Sequence, residues 1–231
     1  MLLNGVHLLP DLSGALICPK ARLVAVSDPI GDPAGRHAPQ RAAEALKRLA
    51  ALLRQRRPAL VAWLGASLPA LLAEGRLARR EADEVARLTS AHDWHWVAEA
   101  LPAGLPGTAA PELKAAGLTF RHGGLPGSAA LGEVSALPWP VAGLDGAVWP
   151  CFVIDGRRLV MPAFGGPADG MNVLSPAFLR LFRRPFQAVM LVGNRIVTRP
   201  RARLEAPVPP SGPLAGPQAD PMPAPFATSV D

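Results

Sequence analysis

A chain of 231 residues is long enough to bury a substantial core without disulfides or a structural metal. Hydrophobic residues make up 49% of it and charged residues 18%, which excludes an intrinsically disordered chain and fits a compact soluble protein. The formal net charge of +6 favours anionic partners, nucleic acid among them, although Arg, Ala and Pro enrichment also follows from a GC-rich genome.

Cysteine usage and hydropathy narrow the class of protein further. Cys18 and Cys151 are too few for a disulfide framework and both lie in apolar runs, so we expect buried thiols. No apolar stretch approaches the roughly 20 residues that a membrane-spanning helix needs, and no signal-peptide pattern opens the chain. The sequence therefore predicts a cytoplasmic protein with no membrane partner.

The first half of the chain alternates short apolar runs with amphipathic stretches, which is typical of an α/β fold. The clearest helix is predicted at 40–57, where Ala42, Leu46, Leu49 and Leu53 recur at helical spacing and Pro58 ends the pattern. A second helical region, 69–88, is interrupted near Gly75. The predicted strands in this half are 5–9, 15–18, 22–26, 59–64 and 93–97.

The second half is richer in strands and turns. Asp155-Gly156 and Gly193-Asn194 are hairpin signals between apolar runs, and Pro176 opens a short predicted helix to Phe182. The basic pair Arg157-Arg158 is expected at a solvated turn. The predicted strands here are 118–121, 132–137, 148–154, 159–162, 187–192 and 195–198.

The end of the chain differs in composition from the rest. From Arg199 onward it is rich in Pro and Ala, and it has too few aromatic residues to bury much apolar surface. We therefore predict two regions, a folded domain over 1–198 and a flexible Pro/Ala-rich tail over 199–231.

One stretch of the sequence carries a family resemblance. It runs Pro150-Cys-Phe-Val-Ile-Asp-Gly-Arg-Arg-Leu-Val-Met-Pro-Ala-Phe-Gly165 and continues as Gly170-Met-Asn-Val-Leu-Ser-Pro-Ala-Phe178. It is similar to the ligase-associated metallophosphoesterases, a bacterial branch of the calcineurin-like phosphoesterase superfamily. The resemblance implies an α/β fold, the calcineurin-like metallophosphoesterase sandwich of two mixed β-sheets flanked by helices.

The same resemblance implies where metal ligands should lie, because the family holds two divalent cations, Mn among them, with short Asp, His and Asn motifs at strand ends. Around the first two motifs, Ser27 stands in place of Asp and Ala66 in place of the bridging Asp. Pro29 and Pro69 stand in place of His. Neither Pro nor Ala offers a ligand atom.

The remaining motifs are altered in the same way. Ala100 stands in place of Asn, and Leu101 in place of the His that assists the leaving group. Leu137 and Trp139 stand in place of the last two His residues. Only His122, in Leu118-Thr-Phe-Arg-His122, keeps a ligand, as a vestigial metal position.

These substitutions indicate a degenerate, catalytically inactive member, a pseudoenzyme with no expected cofactor and no catalytic residue. Its implied partners are DNA or DNA-repair proteins, since the family is linked to a ligase and a helicase. Three alternatives stay open. His122 with Asp28 and Glu99 could form a re-drawn metal site, with Asp32, His92 and His95 close in sequence; Ser27 or Ser67 could act as a nucleophile with His122; or the chain could be a non-catalytic nucleic-acid-binding module.

Overall fold

The computed structural model of the protein describes residues 1–124, 131–166, 170–182 and 184–205. Within these ranges four α-helices are formed, α1 (Ala38–Arg56), α2 (Ser67–Ala73), α3 (Arg79–Ala91) and α4 (Pro176–Leu179). The strands are β1 (Leu2–Leu3), β2 (Val6–His7), β3 (Leu9–Pro10), β4 (Leu16–Cys18), β5 (Leu23–Ser27), β6 (Leu60–Leu64), β7 (Asp93–Val97), β8 (Thr108–Ala110), β9 (Glu112–Ala115), β10 (Leu118–Gly123), β11 (Glu133–Leu137), β12 (Pro140–Leu144), β13 (Ala147–Ile154), β14 (Arg158–Val160), β15 (Met171–Asn172), β16 (Gln187–Val192) and β17 (Arg195–Pro200).

The strands form two mixed sheets, as predicted. The first sheet has the order β3-β4-β5-β6-β7-β8, in which β5 to β8 run parallel and β3 and β4 antiparallel. The second has the order β15-β12-β13-β14-β11-β10-β9, and β16 adds to β13 and carries β17. A separate hairpin pairs β1 with β2.

Alternation along the strands creates three apolar layers, because successive side chains point to opposite faces. On β6, Val61 and Trp63 face α1 and α3, while Ala62 and Leu64 face the second sheet. Residues of the second sheet, such as Phe120, pack in the same apolar layer. Its outer face packs on a cluster of phenylalanines that includes Phe178 of α4. The layers are therefore helices, sheet, sheet and helix, which confirms the predicted sandwich.

Local sequence explains the longest helix. Pro39 lies in the first turn of α1, where its missing N–H removes no helical hydrogen bond. Arg57 takes a left-handed conformation, and its N–H donates to the carbonyl of Leu53. Pro58 then prevents continuation, as predicted. The apolar face of α1 lies on the first sheet, with Ala42, Leu46, Leu49 and Leu53 all buried.

One expectation about a charged residue was wrong. Arg158 is buried rather than solvated: its Nε lies 2.9 Å from Oε1 of Glu133, and the two side chains are 4% and 0% exposed. Near the predicted start of the tail at 199, β17 extends to Pro200 and residues Arg201–Arg203 form a 3-10 helix. Glu205 then bridges to Gly143. The rest of the predicted tail, 206–231, lies outside the described residues.

The two cysteines lie in the core, as predicted. Cys18 and Cys151 are buried free thiols, and burial raises the pKa of the Cys151 thiol. Among the described residues, no helix combines the length and the apolar character that crossing a membrane would require.

Candidate functional site at the carboxyl edges of the two sheets

The carboxyl ends of the parallel strands bring the predicted motif positions together. Ser27, Leu64 and Val97 end β5, β6 and β7 at the same level of the first sheet. The hydroxyl of Ser27 donates a hydrogen bond to the carbonyl of Ala136, 3.3 Å away on β11 of the second sheet. The carboxyl edges of both sheets therefore meet, and this is where open α/β sheets place their ligands.

Trp139 covers the point where the edges meet. Its indole Nε1 donates a hydrogen bond to Oγ of Ser27 at 3.0 Å. The far side of the ring lies beside Gly31, where an added Cβ would sit 3.4 Å from the Cη2 atom of Trp139. The side chain thus extends from the loop after β11 across the loop after β5, and occupies the space between them.

Asp28 follows Ser27 and is buried, 2% exposed. Its Oδ2 accepts from the Trp63 indole at 3.1 Å and from the backbone N–H groups of Ser67 and Leu68 at 2.9 and 3.0 Å. Its Oδ1 accepts from the N–H of Ile30 at 3.0 Å. The carboxylate therefore satisfies the free N–H groups at the start of α2 and holds the β5 loop in place.

Gly65 makes this arrangement possible. It has a φ of +144°, and an added Cβ would lie 2.3 Å from Cβ of Asp28. Only a residue without a side chain allows the two loops to approach so closely. The glycine that the family motif places before its bridging Asp is thus used here to pack Asp28.

Two titratable groups at the carboxyl edges, Asp28 and His122, have shifted pKa values. Burial raises the pKa of the Asp28 carboxyl, and the hydrogen bonds from Leu68, Ile30, Trp63 and Ser67 oppose that rise. Burial lowers the pKa of the His122 imidazole, against the attraction of the Asp28 and Glu99 carboxylates. His122 is therefore neutral at pH 7. Glu99 is exposed at the rim.

Several predicted site residues serve the packing instead. Pro69 is buried within α2, and Leu101 packs against the apolar layer between the helices and the first sheet. Ala66 lies at the start of α2 and Ala100 is exposed. Leu101 therefore faces the helical layer and does not take the position of a group that assists a leaving group.

Ser67, His92 and His95 also have hydrogen-bond partners within the protein. Ser67 Oγ donates to the carbonyl of Gly31 at 2.6 Å. A ring nitrogen of His92 lies 3.1 Å from the carbonyl of Pro58, at the opposite end of the sheet, and His95 pairs with Asp93 at 3.0 Å. Ser27 and Ser67 both donate to backbone carbonyls, those of Ala136 and Gly31. None of the contacts of Ser27, Ser67, His92 and His95 described here involves His122.

A dinuclear metal centre does not fit the residues present. Over 1–124, 131–166, 170–182 and 184–205, no three His, Cys, Asp or Glu side chains are placed to hold a metal ion. Both oxygens of Asp28 accept hydrogen bonds from the protein, three of the four at Oδ2, so the carboxylate is oriented by its protein donors. The indole of Trp139 also takes up space that metal ligands would need.

Comparison with known proteins agrees with the fold. No protein-family model and no curated protein matches the chain. The crystal structure of Pseudomonas putida nuclease MPE matches with a TM-score of 0.63 and 22% identity, over 86% of this chain and 98% of that one. The two proteins share a fold. At this level of identity the likeness carries no residue role across.

Sequence reasoning did not anticipate two features of the edge. It placed Trp139 and Ser27 at separate lost ligand positions, but it did not pair them, since 112 residues separate them. It treated Asp28 as a turn residue or a ligand, whereas three of its four donors come from residues 35 to 40 positions away. The available signal was an Asp directly after strand β5 together with Gly65-Ala-Ser67 directly after strand β6.

Proposed function

We propose that this chain is a non-catalytic protein built on a metallophosphoesterase-type fold, and that it acts by binding in DNA repair rather than by hydrolysis. The observation that carries the proposal is the 3.0 Å hydrogen bond from Trp139 Nε1 to Ser27 Oγ. By resemblance, these are the positions of a metal-binding His and a metal-binding Asp. An indole and a hydroxyl joined to each other replace two ligands.

The surrounding contacts support the same conclusion. Asp28, the residue after Ser27, accepts from the Trp63 indole and from the N–H groups that start α2. These contacts satisfy buried polar groups, which unpaired buried ligands would leave unsatisfied at a cost in stability. The link to DNA repair, with DNA, a ligase or a helicase as partners, rests on the resemblance and on the nuclease that shares the fold.

The test combines metal content with hydrolysis. Protein purified without chelator and supplied with Mn²⁺ or Zn²⁺ is dialysed and measured by mass spectrometry, and its hydrolysis of bis-p-nitrophenyl phosphate and of labelled oligonucleotides is followed. We expect metal at background level and rates equal to buffer. Stoichiometric metal together with hydrolysis that His122→Ala abolishes would contradict the proposal and support the re-drawn site.

A further inference from the structure

A basic groove lies at the opposite end of the first sheet from the carboxyl edges. Its cavity has a volume of about 540 Å³ and opens between the C-terminal halves of α1 and α3. Ala50, Leu53 and Leu88 form an apolar floor. Four arginines line it: Arg22, Arg54, Arg57 and Arg87. We call this cavity the amino-edge groove, because it lies where β5, β6 and β7 begin.

The strand register fixes the spacing of the groove. Leu23, Leu60 and Asp93 are aligned across β5, β6 and β7, so Arg22 and His92 stand at one level, two strands apart. That separation is about 10 Å, from a spacing of about 4.8 Å per strand. Arg54 and Arg57 are about 4.5 Å apart along the axis of α1. The four arginines thus line one cavity from neighbouring strands and helices.

Most of this positive charge is uncompensated. Of the four arginines, only Arg87 forms an ion pair among the described residues, a bidentate contact with Glu84 at 2.7 and 2.8 Å. Arg22, Arg54 and Arg57 are exposed and pair with no acidic side chain in the ranges that the structure describes. Glu84 also attracts Arg54 from a longer distance.

Helix stability accounts for one of these three arginines. The C-terminus of α1 carries roughly half a negative charge, which one nearby cation offsets. Arg54 and Arg56 both lie in that last turn, and because Arg56 pairs with Asp11 at 2.9 Å, Arg54 is the cation left to offset the dipole. Arg22 and Arg57 lie outside α1. A net excess of roughly two positive charges therefore remains at the groove after the dipole is counted.

The backbone at two of these positions is left-handed. Arg22 and Arg57 both have a φ of +47°, and each ends a helix: Arg22 follows the 3-10 helix Pro19–Ala21 and Arg57 follows α1. A left-handed residue is a common helix end, and Gly or Asn adopts this conformation more readily than Arg. The conformation of both arginines therefore follows from the helix ends.

From this arrangement we propose that the amino-edge groove binds the phosphodiester backbone of a nucleic acid. Guanidinium groups match phosphate oxygens in bidentate geometry, so the arginines that line the groove suit this ligand. Of the lining residues only His92 carries an aromatic ring, and a ring nitrogen of His92 is held 3.1 Å from the Pro58 carbonyl. The contact made by the arginines is therefore with the backbone and independent of sequence. The inference goes beyond the proposed function, because it concerns a different edge of the sheet and holds whether or not the carboxyl edge is catalytic.

The test is fluorescence anisotropy with labelled oligonucleotides of about 20 nucleotides, single-stranded and duplex, in about 50 to 200 mM salt. The groove variant is Arg22→Asn/Arg54→Gln/Arg57→Asn, in which Asn suits the left-handed backbone. The matched control is Arg195→Gln/Arg199→Gln/Arg203→Gln, which removes the same charge from exposed positions on and beside β17. Thermal unfolding of both variants verifies that they fold.

We expect the groove variant to weaken binding by at least about tenfold and to reduce the slope of log K against log salt by about 2 to 3. The control should change binding by less than about threefold, because its charges do not touch the nucleic acid. Arg54→Lys should keep most of the salt dependence while weakening binding slightly. If the groove variant does not fold, single Arg22→Asn and Arg57→Asn proteins give the same comparison, each with a smaller change.

Three results would overturn the inference. The first is equal loss of binding in the groove and control variants, which would mean a diffuse electrostatic contact. The second is the absence of wild-type binding at about 50 mM salt. The third is competition by polyglutamate as effective as by unlabelled oligonucleotide, which would indicate an acidic protein partner. The metal and hydrolysis assays do not affect these outcomes.

Discussion

Replacing Asp28 with Ala is expected to lower the free energy of unfolding by about 3 kcal/mol. Three of the groups that donate to Asp28 belong to Ile30, Trp63 and Leu68, which are at most 1% exposed. A buried donor without an acceptor costs roughly 1–3 kcal/mol, so three of them cost roughly 3–9 kcal/mol. The variant no longer keeps a carboxylate away from water, which returns several kcal/mol. The net loss therefore lies near the lower end.

The assay is urea unfolding followed by tryptophan fluorescence, since the Trp63 indole is one of the donors. Asp32→Ala is the matched control: Asp32 is exposed and its Oδ1 accepts only a local hydrogen bond, from the N–H of Ala34 at 2.9 Å. We expect that control to change stability by about 0.5 kcal/mol or less. Equal losses in the two variants would refute the structural role assigned to Asp28.

The same experiment separates a structural Asp28 from a metal ligand. A metal that binds the folded state stabilises it by RT ln(1 + [L]/Kd), which reaches about 2.7 kcal/mol at a hundredfold excess over Kd. If Asp28 were a ligand, Mn²⁺ would stabilise the wild type and not Asp28→Ala. We expect Mn²⁺ to leave the unfolding curves of both proteins unchanged, and a wild-type shift that the variant lacks would disprove the assignment.

Three further results are expected. Gly65→Ala should cost roughly 3 kcal/mol in urea unfolding, because the new Cβ would lie 2.3 Å from Cβ of Asp28, and Gly75→Ala, with no atom within 4 Å, should cost less. A double-mutant cycle of Ser27→Ala and Trp139→Phe should give a coupling of about 1 kcal/mol for the indole–hydroxyl bond, and additive losses would argue against it. His122 has a lowered pKa in the folded state, so the unfolded state binds its proton more tightly, and stability should fall as the pH drops below about 6.5. His122→Gln should make stability less dependent on pH than the exposed-site control His7→Gln does. An unchanged pH dependence in His122→Gln would contradict this prediction.

The sequence predicted those helices and strands whose buried positions can be read from their own residue pattern. Helix α1 and strands β6 and β16 were found because periodicity and bounding Pro or Gly residues agree, and β7 was found from its Trp-rich run. Strands β1, β8, β9, β12 and β15 were missed. Thr108–Ala110 is short and partly exposed, and Pro140–Leu144 contains a Pro and a Gly that are typical of turns, although tertiary packing buries all of it.

The candidate site was predictable in place but not in detail. The resemblance placed Ser27, Ala66 and Ala100 at motifs near strand ends, and the parallel strands β5, β6 and β7 end at one edge of the sheet. For Asp28 the local signal was half right: its Oδ1 makes the turn contact with Ile30 that a Pro/Gly loop predicts. Its Oδ2 reaches the start of α2, and the buried pair of Arg158 with Glu133 joins β14 to β11. Such contacts depend on packing between distant segments.

The substitutions at the carboxyl edge depend on one another physically. With Ser at position 27, the hydroxyl both accepts from Trp139 and donates to the Ala136 carbonyl, so both of its hydrogen-bonding roles are met. An Asp there, with Trp139 retained, would place a second carboxylate beside Asp28 and bring it close to the Ala136 carbonyl, which offers no proton. A His at position 139, with Ser27 retained, would have two ring nitrogens where the Ser27 hydroxyl offers a partner for one. The second ring nitrogen would lack a partner from that hydroxyl. Introducing one metal ligand at a time at these two positions therefore destabilises the edge, and a metal-binding pair there would need several changes together.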